Sequence, residues 1–250
     1  MGRELFLWND LCNVGSAKER LESVKQRVSG RFRIYEGVYG VGILGDSFDV
    51  LNLLKGIGFE AIITDPPFLD KKEHFVKKQY GGVLTDEIIF RMEDLLYDVL
   101  LDGGWFIIFW SVKNLPRAFG FKKFRYMWTI CAEFHSTYSK CIIGDRKWLP
   151  ILCFAKGNAK VVLKRPDIIP AEEVAVIQEK LWKPDFKPTF VNSRLIQMFL
   201  PPGGVVLDPF AGWGSLPLVC EIFKRAWVAI EIQQDRFDFM VRLIEDFKNR

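Results

Sequence analysis

The sequence predicts an α/β fold, a doubly wound and mostly parallel sheet with helices on both faces. Three observations carry this. Strand-length apolar runs recur along the chain, among them FEAIIT (59–64), GWFIIFW (104–110), VVL (205–207) and WVAI (227–230). These runs are unbroken rather than alternating, as expected of strands covered on both faces. Segments of helical period separate them, and a loop bearing Gly212 and Gly214 joins one of the strands to a following helix. Sheets of this kind bind ligands on such loops, at the carboxyl ends of their strands.

Each element has a local reason. Residues 16–30 read as a helix: Ser16 and Glu19 form a capping box, Ala17, Leu21, Val24 and Val28 make one apolar stripe, and Gly30 is a stop. The segment ILGDSF ends a strand near Asp46, and a short helix is expected over 50–54. FEAIIT is a buried strand. Residues 85–101 read as one helix with Thr85 as cap and Gly103-Gly104 as stop. GWFIIFW is the next buried strand, and two more are expected over 125–131 and 149–155. Toward the C-terminus come a helix (190–200), a strand (205–207), a helix (215–224) with Ser215 as cap and Pro217 in its first turn, a strand (227–230) and a last helix (233–247). The stretches 69–84, 132–148 and 157–189 show no regular period.

Composition bounds the answer. With 250 residues, 49% of them apolar, the chain can build a full-sized core as one domain spanning 1–250. A net charge of +4 is compatible with nucleic acid without pointing to it. Five cysteines without a C-x-x-C, and only two histidines, argue against a disulfide framework or a metal site and for a reducing, cytoplasmic setting. The start MGRELFLWND lacks a signal-peptide pattern, Phe6 breaks the myristoylation motif, and WFIIFW is too short to span a bilayer, so no membrane is expected.

Two motifs carry chemistry. Asp65-Pro66-Pro67-Phe68 follows the FEAIIT strand. A carboxylate at 65 can accept one N–H of an amine and the Pro66 carbonyl another, the latter held on a turn stiffened by Pro66 and Pro67. Phe68 offers a ring on which a base pulled from its stack can lie. Far downstream, VVLDPFAGWGS places Asp208, Phe210, Gly212, Gly214 and Ser215 between strand and helix. Pro217 stands where a dinucleotide fingerprint needs its third glycine, so a nucleoside ligand fits better than a pyrophosphate. Glu231 closes the next strand, where an acid suits a pair of ribose hydroxyls, and Asp208 can take a cationic amino group.

The two motifs together resemble those of the DNA amino-methyltransferases that use S-adenosylmethionine (SAM). The family's catalytic Asp/Asn/Ser-Pro-Pro-Tyr/Phe is matched by Asp65 to Phe68, and its Asp-Pro-Phe-x-Gly-x-Gly by Asp208 to Gly214. The catalytic motif comes first, as in the β class. ILGDS around Asp46, LPILCFAKG before the recognition insert, and Lys187-Pro188 upstream of Asp208 resemble further family segments. The resemblance covers most of residues 40–240. It implies a Rossmann-like methyltransferase sheet and a short target-recognition insert within 132–186. It implies catalysis by Asp65, Pro66, Pro67 and Phe68, and SAM held by Asp46, Lys187, Asp208, Phe210, Gly212, Gly214, Ser215 and Glu231, with no metal. Two departures stand out: Lys183-Pro184-Asp185-Phe186 replaces a His-Pro-Thr-Gln segment, and Trp213 occupies a usually small position, where it is expected to crowd or cover the cofactor.

Double-stranded DNA is the partner implied; a homodimer and a cognate restriction endonuclease are further partners of such enzymes. Lys71, Lys72, Lys77, Lys78 and Tyr80 directly follow the catalytic turn, and Arg146 and Lys147 form a second basic patch; both suit phosphate contact and base stacking. Adenine N6 is the expected target, because Asp at 65 leans that way within the family. Cytosine N4, an RNA adenine, a small-molecule or protein amide, and a non-catalytic binding role on the same scaffold stay open on sequence alone.

Overall fold

Alternate residues of the central strands point into two separate cores, which is why their sequences are apolar throughout. In the computed structural model, which describes residues 16–66, 85–134, 139–141, 144–171 and 187–249, Ala61, Ile63, Ile107, Val206 and Ala229 share one core. Ile62, Phe106, Ile108, Leu207 and Val228, their neighbours in sequence, fill the other. A period of two places consecutive side chains on opposite faces, so both faces need apolar residues.

Along the chain, α1 (Ala17–Val28) leads into the antiparallel pair β1 (Arg33–Glu36) and β2 (Gly40–Leu44), then α2 (Ser47–Leu54) and β3 (Phe59–Thr64). Helices α3 (Thr85–Arg91) and α4 (Glu93–Val99) precede β4 (Leu100–Phe109), and a 3-10 helix (Val112–Gly120) leads to β5 (Arg125–Glu133). A small hairpin, β6 (Ser139–Cys141) with β7 (Gly144–Arg146), precedes β8 (Trp148–Ala155) and the short β9 (Ile168–Ile169). The C-terminal part runs α5 (Thr189–Phe199), β10 (Val205–Asp208), α6 (Ser215–Ile222), β11 (Ala226–Glu231) and α7 (Gln234–Lys248).

The sheet order is β1-β2-β11-β10-β3-β4-β8-β5-β9. Strands β2, β11, β10, β3 and β4 are mutually parallel; β1 at one end and β8 toward the other are antiparallel to their inner neighbours. Helices α1 to α4 contribute to one core, and α5 to α7 to the other. From the adjacent strands β3 and β10 the chain departs in opposite directions, to β4 on one side and β11 on the other. That is a topological switch point, where open α/β sheets form their ligand crevice.

The expected elements are present with local corrections. The capping box is made as read: Ser16 N–H donates to Glu19 Oε2 at 2.6 Å and Glu19 N–H to Ser16 Oγ at 3.3 Å. The expected helix over 85–101 is two helices meeting at Met92, and Leu100 belongs to β4, where it pairs with Phe59. Strand pairing across the sheet outweighs the helical period there. The residue that caps α6 is Gly214, with φ of +83°, and Ser215 is the first residue of the helix. Strand β1, the hairpin and β9 were not expected from the sequence.

One buried ion pair fastens α1 to the amino ends of β3 and β10. Arg20 donates to Gly58 O at 2.7 Å and pairs with Glu60 at 3.0 Å, while Glu60 Oε2 accepts the Val205 N–H at 2.6 Å. Both side chains are nearly sealed from solvent, at 7% and 11% exposure. Removing one partner strands the other's charge. Arg20→Met is therefore expected to destabilise the protein by about 3–5 kcal/mol, and Arg20→Met with Glu60→Gln by clearly less than the sum of the single changes. Urea denaturation of the three variants checks this; additive losses would show that the pair is not coupled.

Candidate active site

Strands β3 and β10 end side by side, so Asp65 and Asp208 arrive at one crevice. Asp208 is the last residue of β10 and is buried. Its Oδ1 accepts the Thr64 hydroxyl at 2.7 Å and the Phe210 N–H at 3.1 Å. The Thr64 bond crosses from β3 to β10, directly before Asp65. Burial pushes the Asp208 carboxyl up to about 7; the charges of Asp65 and Glu231 push the same way, and the two hydrogen bonds oppose them. A carboxylate in this position is poised to gain from a cation.

The loop after Asp208 is held on all sides. Glu231, buried at the end of β11, accepts the Gly212 N–H at 2.7 Å and the Gln233 N–H at 2.8 Å. Burial raises this carboxyl as well. Two N–H bonds leave a carboxylate with further lone pairs, so Glu231 can brace the loop and still accept hydroxyls from a ligand. Gly212 adopts φ of +56°, and a side chain there would meet nothing nearer than Arg236, at 3.9 Å. The loop thus exposes backbone to open space at Gly212. At Gly214 the left-handed backbone and the adjoining Met240 together demand glycine. The Trp213 ring packs edge-on to Phe239 of α7 and under the Arg236 guanidinium, 5.2 Å from the ring centre.

Two further residues close the floor. Asp46 caps α2, its Oδ1 accepting the Phe48 N–H at 2.7 Å. Ser47 donates its hydroxyl to Pro209 O at 2.5 Å, which ties the β2–α2 turn to the loop. Phe210 is partly buried against the core on the α1–α4 side.

Lys187 lies just before α5, and its Nζ is 2.5 Å from Asp65 Oδ2. Both side chains are largely buried, and the ammonium also lies 5.6 Å from the Phe109 ring centre. The residue expected at the cofactor thus reaches the Asp65 carboxylate, linking the two motifs. Pro66 is buried beside it. Pro67, Phe68, Lys71, Lys72, Lys77, Lys78 and Tyr80 lie outside the described residues. Of the second basic patch, Arg146 is half-buried at the end of β7 and Lys147 is exposed. Thr64 of β3 pairs with Ile108, β4 ends at Phe109 opposite Ile151, and β5 ends at Glu133 opposite Trp148. The β5–β8 connection that carries this patch thus emerges at the same end of the sheet as Asp65.

The sequence did not single out Thr64, Ser47 or Asn192. Asn192 of α5 donates its amide to Ser215 Oγ at 2.9 Å. Only their places, Thr64 at the end of β3, Ser47 just after β2 and Asn192 near the start of α5, could have drawn attention to them. Among the described residues no group of three or more His, Cys, Asp or Glu could hold a metal ion, and no helix is long and apolar enough to cross a membrane.

Known proteins resemble this chain in sequence and in fold. The YubD protein of Escherichia coli (strain K12) is 26% identical over 201 residues, covering 76% of this chain and 83% of that protein. The solved M1.HpyAVI–SAM complex superposes with a TM-score of 0.63 at 21% identity, over 81% of this chain and 98% of the other. The cytosine-N4-specific PvuII DNA methyltransferase does so with a TM-score of 0.64 at 19% identity, over 88% and 95%. These two structures establish the likeness of fold. Residues 59–242, which span β3 to α7 and both motifs, match the DNA methylase family, and the chain is a member of this N6/N4 amino-methyltransferase family.

Proposed function

We propose that this protein transfers a methyl group from SAM to the exocyclic amine of a base in DNA, with adenine N6 as the target. The observation that carries the reading is the convergence of Asp65 and Asp208 at the β3/β10 switch point, joined through Thr64 and flanked by Lys187. The site suits SAM on its own features: a buried carboxylate that gains from a cation, a glycine loop with exposed backbone, and buried polar side chains around Ser215. Asp208, Phe210, Gly212, Gly214, Ser215 and Glu231 would hold it, with Asp46 and Lys187 at the margins.

When bound, SAM supplies an electrophilic methyl group. The chain's own task is to present the amine. Asp65 accepts one N–H of the amine, and the Pro66 carbonyl accepts the other, so the nitrogen lone pair is turned from the ring toward the methyl. As its bond to the methyl replaced the methyl–sulfur bond of SAM, with S-adenosylhomocysteine as the leaving group, the positive amine nitrogen would be stabilised by the Asp65 carboxylate and would then release a proton to solvent. Lys187 orients that carboxylate. Phe68 would stack on the extruded base. Lys71, Lys72, Lys77, Lys78 and Tyr80 directly follow the turn, and Arg146 and Lys147 share its end of the sheet; they would contact phosphates. A short recognition insert within 132–186 would read the flanking bases. A cytosine-N4 target is the second reading, favoured by the likeness to the PvuII enzyme. A homodimer, a cognate restriction endonuclease and a cytoplasmic location accompany either reading.

Labelled methyl from SAM should appear in double-stranded DNA as N6-methyladenine, and Asp65→Ala should reduce transfer by at least about a hundredfold, while SAM affinity changes little. N4-methylcytosine would change the target base; transfer to RNA alone, or SAM binding without transfer, would refute the DNA reading.

Ionisation of Asp208 generates a pH dependence. A carboxyl raised to about 7 is mostly neutral at lower pH, and a cationic ligand binds its charged form. SAM affinity should therefore rise about tenfold from about pH 6 to about pH 8, and Asp208→Asn should flatten the profile. The same shift favours the ligand-free fold at low pH, with that contribution lost as pH rises through about 7. Calorimetric titration of both proteins across this range measures the effect; an identical slope in Asp208→Asn would exclude Asp208 as its source.

A further inference from the structure

Trp213 and Arg236 meet beside the glycine loop, and the reaction chemistry gives neither a task. Arg236 lies in the first turn of α7. A helix start carries partial positive charge, so a cation there is disfavoured unless other contacts offset it. The offset is visible: the guanidinium lies over the Trp213 ring, and Phe239 meets that ring edge-on, with centroids 5.3 Å apart. Trp213, Arg236 and Phe239 are all partly buried. Arg236 also reaches the loop, because a side chain at Gly212 would come within 3.9 Å of its Nη1. The Gly212 N–H is the one that Glu231 Oε2 accepts. Glu231, Gly212, Trp213 and Arg236 therefore form one continuous edge. Asp238, two residues further along α7, is engaged by Arg33 at 2.8 Å.

We infer that Arg236, seated on Trp213, is a positioning residue for the cofactor's ribose and acts through the Glu231 carboxylate. This rests on the reading that the site takes SAM with its ribose hydroxyls on Glu231. Two adjacent hydroxyls offer two donors. An ionised carboxylate only accepts, whereas a protonated one gives up part of that capacity to its own O–H. Glu231 is buried, which pushes its carboxyl up; the Gln233 amide and then the Arg236 charge push it back. A guanidinium suits this task because it keeps its charge at any working pH and its flat face stacks on an indole. Trp213 supplies the seat that the helix start does not, and holds the charge at the side of Gly212 where backbone is open to a ligand. The large ring at a usually small position thus serves the loop by way of Arg236.

The test compares binding of S-adenosylhomocysteine with that of its 2′,3′-dideoxy analogue, which lacks both ribose hydroxyls. Arg236→Met keeps a stem that can lie on Trp213 and removes the charge. It should weaken S-adenosylhomocysteine by about fivefold or more and leave the dideoxy analogue within about twofold. Arg236→Lys restores the charge and should recover most of the preference. Trp213→Ser removes the seat and should show a smaller loss of the same preference. In a Glu231→Gln background, Arg236→Met should change the preference no further, since the two act as one unit. Equal loss for both ligands would mean that Arg236 only supports the loop. No loss for either, or a loss that persists in Glu231→Gln, would mean that it does not act through Glu231. Each of these overturns the inference and leaves the cofactor reading intact. If the wild type bound neither ligand nor SAM, both would fall. Should Arg236→Met not fold, Arg236→Gln decides by the same comparison.

Discussion

Asp208 is the point on which the site turns. It ends β10 inside the sheet, buried from solvent, and depends on the Thr64 hydroxyl and the Phe210 amide. The first bond fixes the end of β3, and so the position from which Asp65 leaves the strand. The second starts the loop that leads to Gly212 and Gly214. One carboxylate therefore aligns the Asp65 turn and the glycine loop. The cost is a buried acid crowded by Asp65 and Glu231, whose ionisation is hindered until a positive charge arrives.

Around this centre the remaining contacts restrict movement. Glu231 holds the Gly212 amide, Ser47 holds the Pro209 carbonyl, and Trp213 is packed on Phe239 and Arg236 of α7. Helix α5 then spans the crevice from the other side, with Lys187 at Asp65 and Asn192 at Ser215. A loop built only of glycines would be mobile; this one is braced by neighbours from four elements. Pre-organisation of that kind matters when the reacting nitrogen is a poor nucleophile and must be held at a set angle.

The sequence was informative where a local rule decides. The unbroken runs FEAIIT and WFIIF meant burial on two faces, and they lie between two cores. Ser16 and Glu19 make their reciprocal bonds because both partners lie within one turn. It misjudged places where distant partners compete. Leu100 continues a helical pattern, yet pairs with Phe59, because a sheet position gives it backbone bonds and burial together. The sequence was silent on the partners of Trp213, whose ring packs against Phe239 and Arg236 of α7.

Taken alone, the sequence determined the α/β class, both motifs and their order, and the residue types able to hold an amine and a nucleoside. These are matters of period and of short-range chemistry, which neighbours along the chain decide. Tertiary structure decided which of those residues meet. Thr64 reaches Asp208, Lys187 reaches Asp65 and Asn192 reaches Ser215 only because β3 and β10 are adjacent in the sheet and α5 packs across their ends. Contacts between residues far apart in sequence follow from strand order and helix packing, and no local pattern encodes them.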